Sequence, residues 1–142
     1  MLRISKLADY AAAIMAYAAR ASANTLTCKK IAHELALPET TVSKILKLLT
    51  KAQLLTSKKG VQGGYNLSKA PEQISIVEII SAIDGNIALT DCANHRTNCQ
   101  LEHHCHTKYS WQIINQVIFE TLSTIHLIDL AKQTLQPKKI LS

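Results

Sequence analysis

The interruption at Leu37-Pro38-Glu39 limits this chain to few architectures, because it splits two stretches of helical periodicity. Upstream, Thr27 stands where a cap belongs, ahead of a short helix from Cys28 to Ala36 buried through Ile31, Ala32 and Leu35. Proline cannot continue that helix but is accepted at the start of the next. A second helix from Glu39 or Thr40 to Lys51 turns Val42, Ile45, Leu46 and Leu49 inward. Thr40, Thr41, Ser43, Lys44 and Lys47 point outward. Short helix, tight turn, helix with a hydroxyl-and-lysine outer face is the helix-turn-helix pattern. A generic helical hairpin with solvated lysines satisfies these residues as well.

The segment that follows separates the two. Leu54-Leu55-Thr56-Ser57 reads as a strand, and Lys58 to Leu67 as a hairpin whose tip holds three of the four glycines in the chain. Glycine permits positive φ and close backbone approach. Lys59, Gly60, Gln62 and Gly63 at that tip form a loop suited to phosphates or a minor groove. A helix-turn-helix followed by a basic hairpin is a winged helix. A phosphate-cradling nucleotide loop does not fit, since no Gly-Lys-Ser/Thr follows and the next element is a strand.

Around this head the pattern is mostly helical. Ser5 caps a first helix, about Lys6 to Ala21, with Leu7, Ala11, Ile14, Met15 and Ala18 as its buried stripe and Asp9 near its start. Its apolar run, Tyr10 to Ala19, is shorter than the ~20 residues a bilayer span needs, so we expect a core helix and a cytoplasmic protein with no membrane partner. Ser75-Ile76-Val77-Glu78 is a capping box opening a helix through Ile79, Ile80 and Ile83, stopped at Asp84-Gly85. From about Lys108 to Ala131, Ile114, Ile118, Thr121, Ile125 and Ile128 recur at near 3.5 spacing, with Trp111 at the front. One helix of that length spans ~36 Å. Such a seam suits a homodimer contact, packing onto its own head being the other reading.

The expected fold is therefore mainly α with a small β wing: a winged helix-turn-helix over residues 1–85, a cysteine-rich loop at 86–107, a long C-terminal dimerisation helix at 108–135, and a frayed tail at 136–142. With 16 Lys and Arg against 10 acidic residues, the formal charge of +6 suits a polyanionic partner, double-stranded DNA first.

Three of the four cysteines fall between Cys92 and Cys105, separated by six and then five residues, with His95, His103 and His104 among them and His106 just after. Thiolates and imidazoles are ligands for zinc and for iron–sulfur clusters. A zinc site of three cysteines and a histidine stays open on these residues, as does a repressor with no functional metal. An enzyme using Cys92 or Cys105 as nucleophile finds no Cys-x-x-Cys, no nucleophile elbow and no acid–base pair. Cys28 reads as a small core residue.

Residues 1–130 resemble the Rrf2 family of bacterial winged-helix regulators. The resemblance rests on Met-Leu-Arg-Ile-Ser-Lys-Leu-Ala-Asp-Tyr, Leu-Pro-Glu-Thr-Thr-Val-Ser-Lys-Ile-Leu, Gly-Val-Gln-Gly-Gly-Tyr-Asn-Leu and Ile-Ser-Ile-Val-Glu-Ile-Ile-Ser-Ala-Ile-Asp-Gly, and on the three cysteines after them. The opening and the wing look most like the branch that regulates the SUF iron–sulfur assembly operon. The resemblance implies a homodimer on a palindromic operator, with Cys92, Cys99 and Cys105 holding a 2Fe–2S or 4Fe–4S cluster near the dimer interface. Two departures stand out. The first cysteine gap is six where the family often has five, and Lys108 stands where the assembly regulator has a histidine ligand. By likeness to the nitric-oxide sensor, Asp9 of the partner chain is the expected fourth ligand, with His106 or His103 as the fallback.

Overall fold

Ser5 starts the first helix and ties it to the fourth. In a computed structural model, which describes residues 3–21, 24–93, 99–101 and 103–136, its hydroxyl oxygen accepts the Ala8 N–H at 3.0 Å. The same hydroxyl donates to Asp84 Oδ1 at 2.6 Å. The helix, α1, runs Lys6–Arg20 and buries Ala8, Ala11, Ile14, Met15 and Ala16. The expected stripe is present at Ala11, Ile14 and Met15, while Leu7 and Ala18 lie at its half-buried margins.

Helix α2 spans Cys28–Leu35, capped by Thr27 Oγ1, which accepts the Lys30 N–H at 3.2 Å. It ends one residue earlier than the periodicity suggests, because Ala36 is left-handed at φ 51°. Helix α3 spans Glu39–Lys51 and buries Val42, Ile45, Leu46 and Leu49. Strands β1 (Leu55–Lys58) and β2 (Gly64–Leu67) pair antiparallel, Leu55 opposite Leu67 and Lys58 opposite Gly64. Residue Tyr65 also exchanges backbone hydrogen bonds with Leu26, at 2.7 and 3.0 Å. Gly64, at φ +152°, makes this possible: a Cβ there would lie 2.7 Å from the Thr25 methyl. The wing is thereby stitched to the residues just ahead of α2.

Helix α4 (Ile76–Asp84) carries the expected capping box, Ser75 with Glu78, and ends at Gly85. Glu78 also pairs with Lys69 at 2.8 Å. Burial by itself would raise the Glu78 pKa; the Lys69 ammonium, the Ser75 N–H and the Ser75 hydroxyl together hold it below the usual value. α4 packs on α1 and α3 around a core of Ile14, Met15, Ile45, Leu46, Leu49 and Ile79.

The C-terminal region departs from the single long helix. Helix α5 is Lys108–Ser123, and a separate α6 is Leu127–Lys132. The Thr121, Ser123 and Thr124 hydroxyls donate to the Val117, Phe119 and Thr121 carbonyls at 2.7, 2.8 and 2.7 Å, which competes with the regular ladder. Beyond them the backbone pairs elsewhere. Ile76 N–H donates to Ile125 O at 2.9 Å, and Leu127 N–H to Ile74 O at 2.8 Å. Leu127 is 0% exposed and α6 packs on α1. The expected seam is therefore divided: Ile114, Ile118 and Thr121 belong to α5, whereas Ile125 and Ile128 follow the chain back to the head. The tail from Pro137 onward lies outside the described residues.

Candidate nucleic-acid interface and cysteine loop

Helix α3 is held by its inner apolar row, so its outer row is fixed in place by default. Thr40, Ser43, Lys44 and Lys47 line one open cleft together with Cys28, Glu39 and Leu48. Thr41 is half-buried and does not line that cleft. Cys28 packs against the margin of the core, as expected of a small apolar residue, and also reaches the cleft. Its thiol sits half-buried at the cleft wall and donates to the Glu39 carbonyl at 3.5 Å. Burial and then the Glu39 carboxylate push the thiol pKa up, so it stays protonated.

A neighbouring cleft is lined by Thr27, Lys29, Lys30, His33 and Leu37. Lys29 and Lys30 are exposed beside the turn into α3 and extend the basic face. The sequence carries their signal as a Lys-Lys pair in the first turn of α2, separated from the Thr27 cap only by Cys28. On the wing, Lys58, Lys59, Gly60 and Gln62 are exposed, and Gly63 is half-buried.

Between α4 and α5 the chain carries the cysteines. Asn115 of α5 clasps the linker: its Oδ1 accepts the Leu89 N–H at 3.1 Å and its Nδ2 donates to the Ile87 carbonyl at 3.3 Å. Cys92 lies in a short 3-10 turn, Asp91–Ala93, that packs on α5, with its Sγ 3.1 Å from Thr90 Oγ1. Cys99 is half-buried, and Cys105 is half-buried just ahead of α5. The Thr107 hydroxyl, 3.5 Å away, and the Thr107 N–H lower the Cys105 thiol pKa; burial opposes them, and the Lys108 N–H and charge add to the lowering. All three thiols are free of disulfides. His103 and His106 are exposed, and so is Asp9 on α1. Residues 94–98, with His95 among them, and residue 102 lie outside the described residues.

In kind these donors suit an iron–sulfur cluster: three thiols on one loop, one of them biased toward thiolate. Among the described residues, no group of three His, Cys, Asp or Glu side chains lies close enough to hold one metal ion. Nor does any helix among them have the length and apolarity to cross a membrane.

Helix α5 has no buried residue. Tyr109, Trp111, Ile113, Ile114, Val117 and Phe119 are all exposed. Tyr109, Ile113 and Val117 form an i, i+4, i+8 stripe beside the Ile114–Ile118 seam, which the 3.5-residue count passes over. Below them, Ile4, Ile80, Ile87, Leu89, Ile118 and Leu122 line an apolar groove of about 430 Å³.

Comparison with known proteins places the chain. The Rrf2 family profile, described as an iron-dependent transcriptional regulator, matches residues 4–133. The HTH-type regulator NsrR of Halalkalibacterium halodurans is 30% identical over 109 residues, 75% of each chain. The HTH-type regulator ORF2 of Azotobacter vinelandii is 35% identical over 86 residues, and the match spans 52% of that protein's length. Among solved structures, CymR, the global cysteine regulator of B. subtilis, superposes with a TM-score of 0.76 at 27% identity, over 94% of this chain and 98% of that one. T. potens IscR gives 0.70 at 27% identity, over 94% and 89%. The fold shared with both is a helical winged head with a small two-stranded sheet.

Proposed function

The chain belongs to the Rrf2 family of transcriptional regulators, and from that premise we propose a cytoplasmic homodimer whose grip on a palindromic operator is set by an iron–sulfur cluster. The family consists of DNA-binding regulators rather than enzymes. In this reading α3 enters the major groove with Thr40, Thr41, Ser43, Lys44 and Lys47, and the wing brings Lys59, Gly60, Gln62 and Gly63 to the neighbouring minor groove or backbone. The exposed apolar face of α5 pairs two copies, so that two heads meet two half-sites. Cys92, Cys99 and Cys105 would hold the cluster, with Asp9 of the partner chain as fourth ligand, or His106 or His103 in its place. When bound, a cluster supplies a group whose presence and oxidation state change with iron supply and oxidants. From the resemblance of the opening and the wing to the SUF branch, the genes controlled are those for iron–sulfur cluster assembly.

The observation that carries this reading is the position of the cysteine loop. It joins the end of α4, fixed to the head through Asp84 and Ser5, to the start of α5, and Asn115 clasps it on the way. A change in what the thiols hold therefore acts on the angle between head and pairing helix, a two-state element of the kind regulators use. The test is anaerobic purification, elemental analysis with a visible spectrum, and operator footprints before and after cluster removal. Iron and sulfide bound, with a footprint that changes, is the expected result. Zinc without visible absorption, or a footprint indifferent to Cys92→Ser, Cys99→Ser and Cys105→Ser together, would end the sensing half.

A further inference from the structure

Val61 is 107% exposed: no other described residue shields it. Of the other apolar side chains more than half exposed, Tyr109 and Val117 lie on α5, Ile4 on the groove beside α5, and Leu101 in the cysteine loop, regions already assigned to pairing and to the cluster. Val61 lies on the wing tip. Gly63 N–H donates to Gly60 O at 2.9 Å, which closes a turn with Val61 and Gln62 at its corner. The turn is pinched, since a Cβ on Gly63 would come within 2.8 Å of the Gly60 carbonyl oxygen and 2.9 Å of the Lys59 carbonyl carbon. Its corner side chains project away from a stem that carries exposed Lys58 and Lys59 and is stitched to Leu26 through Tyr65.

We propose that Val61 is a specificity-determining contact, an apolar probe that the wing sets against A·T pairs in the minor groove beside the α3 site. This rests on the reading that the wing lies in that groove. On the groove floor, A·T and T·A pairs offer only acceptors, whereas a G·C pair adds the guanine 2-amino group. A branched hydrocarbon cannot accept from that amine, competes with it for space, and takes away its water. At A·T pairs the space is open. Gln62, the other corner residue, carries an amide that donates to the A N3 and T O2 acceptors Val61 leaves beside it. Lys59 profits from the stronger negative potential of a narrow A·T groove. Val61 thus supplies discrimination, and the lysines supply affinity.

The full-length protein is used to select an operator from a random duplex pool, and footprinting finds the pairs under the wing. Those pairs are then made A·T, G·C or inosine·C. Inosine lacks the 2-amino group, so its minor-groove face matches A·T while its major-groove face matches G·C. Wild-type protein should bind the G·C duplex about tenfold more weakly than A·T, and inosine·C should restore binding to within about twofold. Val61→Ser, at a position that touches nothing in the fold, should reduce the G·C penalty to under about twofold. Lys59→Ala reports separately on the wing, and should lower the slope of log affinity against log salt by about 0.9. If Lys59→Ala changes neither slope nor footprint, the wing is off the DNA, and both the wing reading and this inference fall. If Lys59→Ala lowers the slope while Val61→Ser keeps the full G·C penalty, or inosine·C binds as poorly as G·C, only the inference falls. Val61 would then be left exposed for a protein partner.

Discussion

The Leu89 N–H donates to Asn115 Oδ1 at 3.1 Å, which ties the linker ahead of Cys92 to the middle of α5. Because Asn115 also donates to Ile87 O at 3.3 Å, one carboxamide satisfies a donor and an acceptor of the same strand of chain. Asn115→Ala should strand both backbone groups and cost roughly 1–2 kcal/mol, read by urea titration. Hydrogen exchange at Leu89 should rise at the same time. Unchanged exchange there would show that the clasp does not hold the linker in solution.

Helix α6 and helix α5 should respond oppositely to truncation. Leu127→Ala removes a fully buried side chain from the head and should destabilise the whole protein by about 2–5 kcal/mol. Val117→Ser alters a residue 54% exposed on α5 and should leave the unfolding of dilute protein nearly unchanged. It should instead shift sedimentation equilibrium from dimer toward monomer. A Val117→Ser protein that remains fully dimeric at low concentration would remove α5 from the pairing interface.

The Ser75–Glu78 box gives stability a defined pH dependence. Glu78 has a lower pKa folded than unfolded, so its contribution is fully present above the ordinary Glu value and fades as pH falls through the lowered one. Against burial, which raises the Glu78 pKa, Lys69 does most to lower it and the Ser75 cap follows; with the Glu78 and Lys69 side chains 36% and 42% exposed, solvent screens the ion pair and keeps the whole effect small. Glu78→Gln should therefore be less stable than wild type near neutrality, by about 0.5–2 kcal/mol at most, and equal to it in acid. Parallel denaturation curves at several pH values check this; a gap between the two proteins that persists in acid would contradict it.

On DNA, Lys44→Ala, Lys47→Ala and Lys29→Ala should each lower the salt slope of binding by about 0.9 for every phosphate no longer neutralised. Ser43→Ala should leave the slope alone and relax base preference at one or two positions in the α3 footprint. Gel shifts at several salt concentrations, on matched and mismatched duplexes, separate the two effects. Lys29 is the most informative of the set, since it lies on α2 and only the packing of α2 against α3 brings it to the basic face.

Neighbours in sequence decide what can be read from the residues alone. Unlike the Ser5–Asp84 tie, the capping bonds of Ser5, Thr27 and Ser75 reach only three residues along the chain, so the helix starts are legible. The inner row of α3 is legible for the same reason. The break between α5 and α6 is legible only in part: the Thr121, Ser123 and Thr124 hydroxyls are a local signal, but the partners that take the backbone onward, Ile74 and Ile76, lie far away along the chain. Periodicity counts Ile125 as one more seam residue; only the backbone exchange with α4's approach segment shows otherwise. The setting of Cys28 is hidden in the same way, because it depends on the angle between α2 and α3. Of the cysteine loop, the sequence supplies the donor types, and their arrangement in space depends on contacts that spacing does not encode.

The seam between Gly64 and Leu26 has a consequence for how operators can vary. With α2 packed on α3 and α3 on β1, it holds hairpin and α3 in one jaw, so the offset between the two surfaces proposed to meet the duplex is fixed. On the proposed reading, a base pair inserted between the bases under α3 and those under the wing should therefore cost a half-site its binding, because the jaw cannot stretch to follow it.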